Sequence, residues 1–177
     1  MGENLNSGRS VVSTIALASI SRFSASGSLS ALGAEAETVM SALGRDLGLA
    51  LPAAPWFGQR VRTVAFAQDV ALTVGALGKA ARDIALLMQF EIAELAEPSG
   101  SGRGSSSTMP HKRNPVGAGL ALIAANRAPQ LAAMMLSAMP QENERALGGW
   151  QVEWTTLAEL VETLGSAVAG MAEVAPG

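Results

Sequence analysis

The chain has no cysteine, no tyrosine and a single histidine in 177 residues. Without cysteine there is no disulfide, no thiolate metal site and no cysteine nucleophile, and the composition suits a reducing compartment such as the cytoplasm. One histidine excludes a histidine-rich metal site within the chain. Aromatic residues make up only 4%, so side chains that stack on bases are few. A net charge of −3 and an isoelectric point near 5.2 argue further against a nucleic-acid surface. Charged residues amount to 15% and apolar ones to 49%, against a usual charged share of roughly a quarter. So thin a charged surface implies that helix faces are buried against something else, partner chains included.

Long hydrophobic runs are also missing. No stretch reaches the roughly 18 uninterrupted apolar residues that a membrane span needs, and the most apolar region, 115–139, is broken by Asn126-Arg127. The run Val11 to Ile20 after Arg9 has the outline of a short signal-peptide core, but it contains serines and a threonine, with Glu3 upstream. The expectation is a cytoplasmic chain with no membrane partner.

What is present is helical patterning. Residues 1–26 are rich in glycine and serine and weakly patterned, an atypical, weakly ordered segment with at most a weak helix over 11–23. The remainder, 27–177, reads as a helical-bundle portion. Leu32, Val39, Leu43 and Leu47 space an amphipathic helix over 30–47, and Gly48 is its stop. Pro52-Ala53-Ala54-Pro55 breaks the pattern, because each proline disfavours helix in the residue before it. Val70, Val74, Leu77, Ala81, Ile84, Met88, Ile92 and Leu95 then advance by fours and threes, the spacing of a coiled-coil seam. A second apolar set, Phe66, Leu72, Ala76, Ala80, Leu86, Leu87 and Phe90, covers another face. A helix apolar on two faces belongs inside a bundle. Extended over 59–95, it would measure roughly 55 Å at about 1.5 Å per residue and imply an elongated assembly. Further helices are expected over 115–139, with Pro129 as a point of kinking, and over 150–172. No segment shows sustained alternation of strand type, so the fold class is all-α.

Between the second and third helical patterns lies the loop 97–114. Pro98, Gly100, Gly102 and Gly104 preclude a stable helix there. Most such Ser/Gly-rich stretches are linkers. Thr108, Met109 and Pro110 are poor spacer residues, however, and Lys112 and Asn114 place donors at the entry to the next helix. Asn114-Pro115 reads as an N-cap followed by proline at the first helical position, which makes the helix start an anion site. The Gly-Lys-[Ser/Thr] ending of a Walker loop is missing, and Lys112 lies too far after Ser106 for the Ser-x-x-Lys of penicillin-binding enzymes. A serine with no histidine or carboxylate beside it acts as nucleophile or base only if backbone N–H groups and a cation such as Lys112 stabilise its alkoxide. The same cations suit a substrate with several carboxylates. His111, with no partner, reads as a loop residue; Trp150 and Trp154, four apart, as packing anchors; and Met134, Met135 and Met139 as filling.

The run Ser106-Ser107-Thr108-Met109-Pro110-His111-Lys112-Arg113-Asn114-Pro115 resembles the signature loop of the fumarase/aspartase superfamily, which includes class II fumarase, argininosuccinate lyase and adenylosuccinate lyase. Pro52 to Trp56, Ala76-Leu77-Gly78-Lys79 with Arg82-Asp83, and Glu144-Arg145-Ala146-Leu147-Gly148-Gly149-Trp150 with Glu153-Trp154 are most similar to its 3-carboxy-cis,cis-muconate cycloisomerases. The resemblance covers roughly residues 27–172. It implies the central part of an elongated helical bundle, a homotetramer whose sites combine loops of three subunits, and cofactor-free, metal-free chemistry in aromatic compound catabolism on a small polycarboxylate.

By the same resemblance Ser106 is the catalytic base or its acid partner, and Lys112 stabilises the aci-carboxylate intermediate. Asn114 helps hold the substrate carboxylate; Ser107, Thr108 and Met109 lie over the substrate; Arg145 adds a cation from the next loop. The chain departs from the pattern at Ser105, where the signature has glycine, and at Phe57 and Asn143, where histidine is frequent. The upstream signature regions and the C-terminal helical domain of the family have no counterpart in the sequence, so the expectation is a central portion of a larger enzyme. An inactive helical oligomerisation module and a fragment of an adenylosuccinate- or argininosuccinate-type lyase are the alternatives.

Overall fold

Alanine and leucine crowd the long apolar segments, both strong helix formers, and a computed structural model of the chain renders these segments as helices. It describes residues 30–51, 58–98, 104, 106, 108–109, 112–142 and 146–174, and among these there is no strand. A 3-10 segment, Ser30–Glu35, leads into α1, Ala36–Asp46. Three longer helices follow: α2, Val61–Leu87, α3, Val116–Ser137, and α4, Gly149–Val174. The expected helix over 11–23 and the break at 52–55 lie outside the described residues.

The chain divides into two compact units, residues 1–66 with 135–154, and residues 67–134 with 155–177. In the first, α1 ends in a Schellman motif, in which Leu49 N–H donates to Gly44 C=O at 2.8 Å and Gly48 N–H to Arg45 C=O at 3.1 Å. Gly48 holds φ 64°, the left-handed conformation this motif demands and glycine adopts without strain, so it is the helix stop expected from the sequence. The same unit contains a buried ion pair. Arg60 Nε donates to Glu153 Oε2 at 2.8 Å and its Nη2 to Oε1, with the side chains 8% and 2% exposed. The Arg60 guanidinium also lies 5.8 Å from the Trp150 ring centre, and Trp150 meets Trp154 edge to face at 5.5 Å. Trp150 thus packs as expected, whereas Trp154 remains about half exposed.

The second unit takes the longer part of each of α2, α3 and α4. Its core consists of Val70, Val74 and Ala81 from α2, Ala118, Ala121, Ala124, Ala128 and Leu131 from α3, and Leu160 and Ala167 from α4. Full burial of a side chain such as Leu160 contributes about 1.5–3 kcal/mol. Alanines and glycines let the backbones approach closely. A Cβ at Gly78 of α2 would overlap the Ala125 Cβ of α3, and one at Gly170 of α4 would come within 2.6 Å of the Gly117 carbonyl oxygen of α3. Gln68 Nε2 adds a polar tie from α2 to the Ala132 carbonyl at 3.1 Å.

Two differences from the sequence pattern follow. The second helix runs 27 residues, about 40 Å, rather than the 55 Å span over 59–95. Beyond Leu87 the chain turns back: Glu94 and Leu95 N–H both donate to the Leu87 carbonyl, at 3.0 and 3.3 Å, and Ala93 adopts φ 51°. Within the helix the seam residues Val70, Val74 and Ala81 are buried, as is Met88 just past its end, but Ile92 and Leu95 beyond the turn are exposed. Of the second apolar set, Phe66 is buried, but Leu72 at 71% and Phe90 at 80% are exposed. The third helix runs without a break through Pro129.

Candidate functional site

The loop between α2 and α3 is organised by its own backbone. Ser106 Oγ accepts from the Met109 N–H at 3.2 Å and lies 3.3 Å from Thr108 Oγ1. A serine hydroxyl accepting from the amide three residues on forms a local turn. Lys112 N–H then donates to the Met109 carbonyl at 3.0 Å. Gly104 is the other fixed point: its carbonyl receives both the Asn114 N–H at 2.9 Å and Asn114 Nδ2 at 3.3 Å. Gly104 sits at φ 68°, and a Cβ there would lie 3.0 Å from the Asn114 carbonyl oxygen, so both conformation and space call for glycine. The Met109 amide thus gives Ser106 a backbone donor of the kind an alkoxide needs. Ser106 is half-buried, while Thr108, Met109 and Lys112 are exposed.

The entry to α3 differs from the sequence expectation. The helix begins at Val116, so Pro115 precedes the first helical position, and the Asn114 side chain bonds to Gly104 rather than to the helix. The first amides are instead taken by Glu97. Its Oε2 accepts from Gly117 N–H at 2.9 Å and its Oε1 from Ala118 N–H at 2.8 Å, with the residue 7% exposed. The positive end of the helix dipole is therefore already matched by a carboxylate of the chain itself. These two amides are therefore not open to a substrate carboxylate. Nothing in the sequence singles out Glu97, because its partners lie 20 residues away across the loop.

Beside the loop lies a cavity of about 980 Å³. Met88, Phe90 and Leu95 give it apolar walls; Thr108, Met109, Lys112, Arg113 and Asn114 bound it on the loop side. Four of the expected site residues, Thr108, Met109, Lys112 and Asn114, are brought to one cavity, and Ser106 is not among its lining. Arg113, next to Lys112, is a second cation at that edge that sequence reasoning passed over. Ser107 and Arg145 lie outside the described residues, as do Ser105, His111, Phe57 and Asn143. Among the described residues, no group of three or more histidine or carboxylate side chains is placed to hold a metal ion. No helix among them is long and apolar enough to cross a membrane.

Comparison with known proteins fits this loop and helical frame. The chain is 57% identical over 136 residues to a 3-carboxy-cis,cis-muconate cycloisomerase of Pseudomonas aeruginosa, an alignment covering 77% of this chain and 30% of that protein. The crystal structure of the 3-carboxy-cis,cis-muconate lactonizing enzyme from Pseudomonas putida superposes with a TM-score of 0.76 at 51% identity, covering 86% of this chain and 34% of that one. The corresponding cycloisomerase from Acinetobacter calcoaceticus gives 0.73 at 38% identity, over 85% and 32%. The chain thus spans about a third of the length of these relatives. The sequence profile described as lyase matches residues 7–129, beginning inside the segment 1–26 that the sequence pattern sets apart. With an all-helical frame, the signature loop ahead of α3 and this match over more than half of its residues, the chain belongs to the lyase family of the fumarase/aspartase superfamily.

Proposed function

We infer that the chain serves a cofactor-free cycloisomerase acting on a small polycarboxylate, with closure of 3-carboxy-cis,cis-muconate to a carboxymuconolactone as the reaction. The observation that carries this reading is the loop itself. Ser106 holds a backbone donor at its Oγ, and Lys112 and Asn114, further along the loop, line the adjoining cavity. The names of the relatives support the choice of substrate.

In the proposed reaction a substrate carboxylate oxygen bonds to one carbon of a double bond within the same molecule. The π pair moves to the neighbouring carbon and is delocalised into its carboxylate as an aci-carboxylate. Lys112 and Asn114 stabilise that charge, where preorganised donors act most strongly. Ser106 delivers the proton to carbon and regains one from solvent, so the product, counted as the acid, is an isomer of the substrate and no cofactor is consumed. Ser107, Thr108 and Met109 close over the substrate and keep water out, and Arg145 supplies a further cation.

The exposed Leu72 of α2, Phe90 just beyond its end and Ile123 of α3 support assembly with further copies, here proposed as a homotetramer; the absence of cysteine supports the cytoplasm as its compartment. The same exposed residues favour a second reading, a helical assembly module that forms oligomers and does not turn over. Ultraviolet absorbance of carboxymuconate, followed with the purified chain and with Ser106→Ala, tests the first reading. Loss of a proton-transfer group is expected to lower the rate by about 10²–10⁴-fold, and full activity in that variant removes Ser106 from the mechanism. Oligomers by light scattering with no turnover of this or related polycarboxylates select the second reading.

A further inference from the structure

We propose that Glu97 is a positioning residue of the signature loop: its carboxylate occupies the N-terminus of α3 in the manner of a bound anion and ties the loop's two ends together. Glu97 stands at the N-terminal end of the loop, immediately before Pro98, and Gly117 and Ala118 stand in the first turn of the helix that ends it. Both carboxylate oxygens are used, one for each amide. Bonds from helix amides to an ionised acceptor are among the stronger ones, and the helix dipole adds to them. Burial of Glu97 to 7% exposure shields these bonds from competing water and screening ions.

Gly117 itself serves the packing of α3 on α4: a Cβ there would lie 2.7 Å from the Gly170 carbonyl oxygen but at an ordinary contact distance, 3.5 Å, from Glu97 Oε1. The Asn114–Gly104 bonds form a second tie within the loop. Together the two ties join the chain at two points around Ser106, Lys112 and Asn114, which lowers the entropy cost of holding the three in one arrangement. The tie itself is independent of any activity; its consequence for catalysis rests on the reading of the loop as the lid of a polycarboxylate site.

Amide hydrogen exchange by mass spectrometry on the full chain tests the tie without requiring turnover. In Glu97→Ala, peptides covering 104–118 are expected to exchange on the order of tenfold faster, with peptides from 155–174 unchanged. Added acetate is expected to restore much of that protection by filling the vacated amides, while sodium chloride at the same ionic strength does not. Wild type is expected to show no acetate response. Glu97→Gln, which keeps one acceptor oxygen but turns an NH2 toward the other amide, is expected to fall between the two. It also carries the test should the alanine variant fail to fold, since partial loss confined to 104–118 supports the tie. Unchanged exchange, loss spread evenly over the chain, or acetate acting no differently from chloride overturns the proposal. The expected exchange pattern in the variants together with an inactive wild-type chain would instead count against the catalytic reading alone.

Discussion

Replacing Arg60 by methionine is expected to cost about 3–5 kcal/mol of stability, the usual consequence of removing one partner from a buried ion pair. Arg60 meets both Glu153 carboxylate oxygens, and the two side chains are only 8% and 2% exposed. The variant leaves the Glu153 carboxylate in that site without the guanidinium that compensates its lost hydration. The stacking of Arg60 on Trp150 adds about 0.5–1 kcal/mol. Were the pair exposed, the whole effect would be at most about 1 kcal/mol. Against a total stability of about 5–15 kcal/mol for a domain, the expected loss is a large fraction. At about 2–4 °C per kcal/mol for a chain of this size, it corresponds to a fall in Tm of about 6–20 °C.

Urea titrations followed by far-ultraviolet circular dichroism on wild type, Arg60→Met, Glu153→Leu and the double variant complete the cycle. The double variant replaces the pair with apolar groups of similar size and is expected to recover most of the loss, because neither charge then remains buried. With single losses of about 3–5 kcal/mol each and most of that recovered in the double variant, a coupling energy of at least about 5 kcal/mol is the expected result. Single losses below about 1 kcal/mol that simply add would refute the argument, since that is how a solvated surface pair behaves.

Other positions give sharper local tests. Gly78→Val places a side chain where a Cβ already overlaps Ala125, and a loss of about 2–3 kcal/mol is expected in the same titration. Gly104→Ala forces a Cβ onto a residue at φ 68° and against the Asn114 carbonyl oxygen. Its cost of about 1–2 kcal/mol should be confined to the loop, read as faster proteolysis between α2 and α3 with little change in Tm. Lys79→Ala removes an exposed i,i+4 pair with Asp83 and is expected to leave the urea midpoint unchanged within error.

The candidate site shows how local and distant information divide. The loop 97–114 is legible because its glycines, prolines and hydroxyl residues oppose helix in the chain that carries them, and the ten-residue signature supplies the family by resemblance. The roles of Lys112 and Asn114 come with it, and the structure sets both beside Thr108 and Met109 at one cavity. Glu97 was invisible by the same logic. A glutamate before a proline has no local signal, and its meaning comes only from amides 20 residues further on. The anion site expected at the start of α3 rests on sound helix physics, yet the chain fills that site from within.

The all-helical class, the glycine stop of α1 at Gly48, the extent of α3 and α4 to within two residues at either end, and membership of the family are determined by the sequence alone. These depend on periodicity, capping and motif identity, which are carried by residues near one another in the chain. Only the tertiary structure decides where α2 stops, since Leu87 gives its carbonyl to Glu94 and Leu95 in a turn that no helix breaker announces. It also decides which residues of the two apolar sets are buried, Phe66 of the second among them. Hydrophobic burial is not directional; the close approach of Gly78 to Ala125 puts Val70, Val74 and Ala81 inside and leaves Leu72 on the surface.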